Sequence, residues 1–355
     1  MDIYLLEQIL SENLTWNRAR IKFLARFMVA IFQVQTVNLT RDCLCFFGSR
    51  KDCFQLQTLA KVSAFFSISQ VEMAHLTLKL LKLTPPYTIA IDRTEWQLGK
   101  SWVNVLMISI SYRQIAIPLF GTVLETKGCC DDAEKQAIIE QFLAEFPAAG
   151  IRFVTADREF ASVKWLKYLV DRKLGFRLRI KANARITDKR GKSIRASKMC
   201  RTLKTDQRVE FRRCRKLWNQ RVFVAVCRKA GGDHVIVVSS EQSGRILPEY
   251  NERWRIETLF GNLKTRGFRL EDTHLTDGTR VSKLLSLLTL AGCWALLAGE
   301  FESAAVPIKI KKHGRAEKSV FRLGFDTLRS CFCRIAINLR QKQRFQQLTL
   351  LLSCT

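Results

Sequence analysis

The amino-acid sequence predicts an α/β protein whose central elements run β-β-β-α-β-α-β, with helical regions on either side. Three observations predict it. The apolar spacing is helical up to about residue 84, and after Pro85-Pro86 it changes to short strand-like runs. Those runs then alternate with two segments of helical period. The rhythm breaks between about residues 181 and 232, where short alternating runs lie in a field of lysine and arginine.

Each element can be justified in order. Residues 1–84 read as a helical N-terminal domain. Within it, 54–66 and 71–83 are periodic apolar segments, and Ser69 and Glu72 have the spacing of a capping box that starts the second. Two short helices at a tight turn suit a DNA-reading helix-turn-helix or a plain helical hairpin, and both stay open. Residues 88–92 are a short apolar run ending in Asp92. Residues 103–112 and 114–123 are two more strands, joined by a turn at Arg113. Residues 131–146 read as a helix with Ile138, Ile139, Phe142, Leu143 and Phe146 on one side. A strand at 151–156 leads into Asp157, a helix follows at 162–172, and a fifth strand at 175–180. This is the element order of a ribonuclease H-like core, in which three strands meander and two more follow through crossover helices. There the first and fourth strands are parallel neighbours, so Asp92 and Asp157 would emerge side by side. The core domain is taken as residues 85–300, with a basic, β-rich insertion at about 181–232.

One more strand is expected at 234–239, and a helix from about Pro248. Residues 284–298 are the most apolar stretch, shorter than the roughly twenty residues a membrane span needs, so a buried helix and no membrane are expected. Residues 301–355 are basic, with 319–350 mostly helical; dimerisation is their candidate role.

Composition narrows the partners. The 355 residues are 47% hydrophobic, which suits a globular chain of two or three domains. A net charge of +27 implies a polyanionic partner, nucleic acid before an anionic membrane. Between residues 172 and 229 alone, 21 lysines and arginines face 3 acidic residues. None of the twelve cysteines forms a C-x2-C pair and histidines number four, so a structural zinc site has little to build on. The first ten residues lack a basic signal-peptide start, so free thiols in a reducing cytosol are expected.

The chemistry gathers in YNERWRIETLFGNLK, where Tyr250, Arg253, Glu257 and Lys264 are spaced Tyr-x2-Arg-x3-Glu-x6-Lys. On one continuous helix these four would share an arc of about 60°. Asp92, Asp157 and Glu257 are the candidate catalytic residues and metal ligands. Phosphodiester chemistry commonly uses two divalent ions, and hard ions such as magnesium take carboxylate oxygens. Arg253 and Lys264 would grip phosphates and Tyr250 would hydrogen-bond one. Each residue also has a plainer role: Asp92 as a turn residue, Asp157 as a helix N-cap, Glu257 as an i,i+4 partner of Arg253. Their coincidence in the expected places favours the site. The tryptophans at 96, 102, 165, 218, 254 and 294 read as core, with Trp218 alone singled out as a base-stacking candidate because it lies in the basic insertion.

Ile91-Asp92-Arg-Thr-Glu-Trp96, Asp157-Arg-Glu-Phe160 and the Tyr250/Arg253/Glu257/Lys264 signature resemble the DDE transposases of bacterial insertion sequences, in the branch defined by that signature. The resemblance runs over most of the chain. It implies a ribonuclease H-like core and cut-and-paste movement of an element in the bacterial cytoplasm, at the nucleoid. Cleavage at inverted-repeat ends, through a hairpin, would precede transfer of 3′-hydroxyl ends into target DNA. It further implies two Mg2+ ions per site, with Mn2+ as a substitute, and double-stranded DNA bound by a homodimer. Asp92, Asp157 and Glu257 would hold metal; Tyr250, Arg253, Lys264 and, by position, Arg158 would touch DNA. The chain departs from some members in having no tryptophan in the strand His234–Ser239, where a flipped base would be stabilised. Two other readings stay open: a ribonuclease H-like nuclease or resolvase without joining, and a non-catalytic, transposase-derived DNA-binding protein. The basic insertion and flanking regions speak against the first, the intact carboxylate set against the second.

Overall fold

Three helices open the chain in the computed structural model, which describes residues 3–38, 68–125, 128–334 and 339–354. They are α1 (Tyr4–Asn13), α2 (Arg18–Val34) and α3 (Gln70–Leu80). The expected segment at 54–66 lies outside the described residues, so the helix-turn-helix question stays with the sequence. Ser69 does cap α3 through the Glu72 amide, at 3.2 Å. The Glu72 carboxylate, however, accepts from the Trp16 indole at 2.7 Å and from Thr15, so it serves α1 and α2's connection rather than a reciprocal box.

Then come β1 (Tyr87–Leu98), β2 (Ser101–Tyr112), β3 (Ile115–Leu124), α4 (Asp132–Glu145), β4 (Ile151–Ala156), α5 (Val163–Asp171) and β5 (Phe176–Arg179). This is the expected β-β-β-α-β-α-β order. Arg113, at φ +47°, makes the β2–β3 turn. A full capping box between Asp131 and Glu134 starts α4, and Ser162 caps α5. The expected face of α4 is the one that packs: Ile138, Ile139 and Phe142 are buried, and the Phe142 ring stands 6.0 Å from Phe120 of β3.

The basic segment supplies β6 (Arg185–Thr187), β7 (Ser193–Arg195), β8 (Arg208–Leu217) and β9 (Gln220–Arg228), followed by β10 (His234–Ser239). Among the described residues all ten strands form one sheet, in the order β3-β2-β1-β4-β5-β10-β9-β8-β6-β7. β1 and β4 are parallel neighbours, as are β4 and β5. The insertion is β-rich as expected, but it is no separate module. β10 pairs antiparallel with β5 on one side and β9 on the other, so the insertion prolongs the core sheet. Helices α6 (Ile246–Asn251) and α7 (Trp254–Leu263) come next. The chain closes with α8 (Gly278–Ala305), α9 (Val320–Arg334) and α10 (Leu339–Leu350).

Two compact units result. One comprises Thr84–Glu95 and Asn104–Leu259; the other comprises Met1–Leu83, Trp96–Val103 and Phe260–Thr355. The expected boundary near residue 300 falls inside α8, and the N- and C-terminal helices build one core. Phe32 of α2 stands 5.8 Å from Trp294 of α8 and 5.1 Å from Phe325 of α9. α8 and α9 meet at glycines: a Cβ on Gly324 would overlap the Ala295 carbonyl, and one on Gly299 the Val320 carbonyl. α8 has 28 residues, longer than expected, and by length and composition could cross a membrane. Yet 72% of its most apolar stretch is buried inside the protein. Apolar residues all round a helix are what a central core position requires.

Candidate active site

Strand register brings the two aspartates together. Ile91 of β1 pairs with Ala156 of β4, so Asp92 and Asp157 each follow the last residue of the same parallel ladder. Asp92 does not end its strand, because β1 continues to Leu98. Asp157 does not cap α5 either; Ser162 holds that place.

The signature helix is not continuous. α6 ends at Asn251 and α7 starts at Trp254. Across the joint the backbone bonds tighten to i,i+3: Arg253 N donates to Tyr250 O at 3.0 Å, and Ile256 N to Arg253 O at 2.9 Å. Three residues per turn is the 3₁₀ spacing, which keeps Tyr250 and Arg253 on one side despite the break. Tyr250 is anchored among Ile246, Leu247, Ala225, Val235 and Val237.

From these supports the side chains converge. The Arg253 guanidinium donates from Nη1 to Asp92 Oδ2 at 2.7 Å and from Nη2 to Glu257 Oε1 at 2.9 Å. The Tyr250 hydroxyl donates to Asp157 Oδ1 at 3.2 Å. Glu257 is therefore an i,i+4 partner of Arg253 and, through that arginine, a neighbour of Asp92. Exposure rises across the cluster, from 4% at the Arg253 side chain to 14% at Asp92 and 41% at Glu257. Burial pushes the Asp92 carboxyl up to about 6 against the pull of Arg253, and nearby Glu159 and Asp157 add to the rise. Burial likewise pushes the Tyr250 phenol up to about 12. The Arg253 Nε is buried and has no partner among the described residues.

Lys264 is placed differently. It lies just past α7, in the helical unit, with Nζ 2.8 Å from Glu271 Oε1 and 5.8 Å from the centre of the Trp96 ring. Arg158 is exposed next to Asp157. Two tryptophans depart from the core expectation. Trp102 is 38% exposed, and Trp254 is 49% exposed, framed by Arg253 at 5.5 Å and Lys229 at 5.8 Å. Trp218 is half-buried in the β8–β9 turn, at φ +48°.

Sequence reasoning missed several site neighbours. Arg179 of β5 stands 3.8 Å from Asp157 and 3.0 Å from Asp233. Arg93 joins Glu95 at 2.9 Å to Glu159 at 3.2 Å, tying the segment after Asp92 to the turn after Asp157. The alternation Phe-Arg-Leu-Arg in β5 was a signal that arginines share one face there, but not of what they face.

Among the described residues no three acidic, histidine or cysteine side chains stand as a ready metal site. Arg253 already neutralises Asp92 and Glu257, and Asp157 is turned to Tyr250. The donor chemistry nonetheless fits a hard divalent cation: every oxygen is a carboxylate, and buried Asp92 needs a positive partner to stay ionised.

A sequence model of the transposase DDE domain matches residues 84–294. Six solved chains match the fold. One is in the cryo-EM structure of the piggyBac transposase synaptic complex with hairpin DNA, at 13% identity and a TM-score of 0.50, covering 94% of this chain and 75% of that one. At that identity the likeness concerns the fold. No curated protein matches the sequence.

Proposed function

The chain belongs to the transposase DDE-domain family, and from that premise we propose that Asp92, Asp157 and Glu257 are its catalytic carboxylates in cut-and-paste transposition. The family makes it an enzyme of DNA cleavage and transfer, with DNA as partner. The proposal adds cleavage at inverted-repeat ends and joining of 3′-hydroxyl ends to target DNA. The carrying observation is the convergence on Arg253: its guanidinium joins Glu257 to Asp92, which lies 161 residues before Arg253.

Enzymes of this family generally use divalent metals. Asp92, Asp157 and Glu257 would hold two magnesium ions, or manganese in their place, which would activate the attacking oxygen and stabilise the departing 3′-oxygen. The protein's own residues do the positioning. Arg253 would exchange its carboxylates for a phosphate, which its planar fork fits equally well, and its unpartnered Nε would gain an acceptor. Tyr250 would pass its hydroxyl hydrogen bond from Asp157 to the DNA backbone. Lys264 and exposed Arg158 would add point contacts to phosphate. Residues 1–84 would bind the element's ends and 301–355 would pair two copies, so that a homodimer holds both ends. The setting would be the bacterial cytoplasm, at the nucleoid.

The test uses purified protein, DNA carrying the element's terminal repeats, and magnesium. Excised ends and strand-transfer products are expected, and denaturing gels report whether a hairpin forms. Nicks without joining would instead indicate a nuclease, and binding without cleavage a DNA-binding protein.

A further inference from the structure

We infer that the exposed hairpin at residues 309–318 is a DNA-backbone clamp, separate from the candidate active site. The segment leaves α8 at Val306 and forms a short antiparallel ribbon before α9. Ile310 bridges Ala316, Glu317 N donates to Lys309 O at 2.8 Å, and Lys311 N donates to Arg315 O at 2.9 Å. Gly314, at φ +76°, closes the turn, and Gly314 N donates to Lys311 O at 2.9 Å. A left-handed residue at that position is what lets so short a loop reverse, and glycine takes it without steric cost.

The ribbon is well formed, yet it buries nothing. Every residue from 309 to 319 is exposed, Ile310 at 67%, and Val306 at its base is 73% exposed. Ordering ten residues costs conformational entropy that no core contact offsets here. Charge compounds the cost. The segment reads Lys-Ile-Lys-Lys-His-Gly-Arg-Ala-Glu-Lys, five lysines and arginines against one glutamate. Lys318 is paired with Asp326 at 3.0 Å, and Lys311 stands 4.0 Å from Glu317. Lys309, Lys312 and Arg315 have no carboxylate partner among the described residues.

Closely spaced cations on a narrow ribbon repel one another, and a bound polyanion would relieve that repulsion. The side chains on offer select which kind. Three lysines and arginines with no carboxylate partner suit phosphates, where release of the condensed counterions supplies binding energy whatever the base sequence. A two-stranded ribbon is also narrow enough to lie along a duplex groove. DNA is already the partner of this family, and the inference shares only that partner with the catalytic proposal.

The test compares the full chain with a K309Q/K312Q/R315Q variant, which alters only exposed side chains. Binding to a fluorescein-labelled duplex of random sequence is titrated across salt. Three lost phosphate contacts reduce the slope of log K against log salt by about 3, so a fourfold rise in salt weakens the variant about 40-fold less than the parent. The parallel variant Asp157→Asn should keep the parent's slope. If Asp157→Asn also cleaves normally, the catalytic proposal falls and the clamp stands. An unchanged slope in the triple variant overturns the clamp. So does a loss confined to vesicles of anionic lipid, or a change confined to self-association in sedimentation.

Discussion

Two buried arginines in the sheet unit make opposite use of the same side chain. All three guanidinium nitrogens of Arg177 in β5 are engaged. Its Nε reaches Glu249 at 2.7 Å, Nη1 reaches the Phe176 carbonyl at 2.9 Å, Nη2 reaches Glu241 at 3.0 Å, and the guanidinium lies 4.6 Å from the Phe153 ring. Glu249 lies in α6 one residue before Tyr250, so this network fastens the helix that carries the signature. Arg253 is as buried, but its Nε is unpartnered and one of its two acids, Glu257, is 41% exposed. A guanidinium with all three nitrogens engaged is a fixed support. One with a spare donor and a half-solvated partner can trade ligands at small cost. The difference separates a support of the candidate site from the arginine proposed to work in it.

Substitutions can break or sharpen that contrast. The largest effect is expected at the acids themselves. Asp92→Ala, Asp157→Ala or Glu257→Ala should cut single-turnover cleavage on the order of 10³-fold or more while mobility shifts still show DNA bound. Any of the three that cleaves at near the parent rate is not a ligand. Next, Arg177→Met leaves the Glu249 carboxylate, 5% exposed, with half-exposed Arg152 at 3.1 Å as its remaining cation, so thermal unfolding should report a loss of about 3 kcal/mol. Arg253→Met should cost cleavage about 10²-fold but lower stability by less than Arg177→Met, because water can solvate the Glu257 it abandons and the Asp92 carboxyl, already pushed up to about 6, can take a proton. Equal stability losses would erase the distinction between the two arginines. The smallest effect calibrates the others: Asp131→Ala removes the α4 cap, should cost about 1 kcal/mol, and should leave cleavage unchanged.

Much of this was legible before any coordinates. The element order and the packed face of α4 follow from apolar periodicity, which is a local property, and the parallel strands behind Asp92 and Asp157 follow from the ribonuclease H-like order of those elements. Other features were misread for equally physical reasons. Periodicity does not reveal a tightened turn, so Tyr250 to Glu257 looked like one helix. Trp254 looked like core because burial depends on what arrives from elsewhere in the chain. The alternation in β5 put Arg179 on a face without saying what it meets, and Arg93 gave no signal, since an arginine's partner is set by strands and turns dozens of residues away.

By itself, then, the chain's order of residues determined the types of its elements, the candidate acids and the charge surplus that favours a polyanion, because hydrophobic spacing, charge and motif spacing are written along one dimension. Only the tertiary structure decided that the basic insertion prolongs the core sheet, that the two helical ends share one core, and that Arg253 sits between Asp92 and Glu257. Those outcomes depend on contacts across long stretches of chain, where close packing and the need to neutralise buried charge select one arrangement among many that local preferences allow.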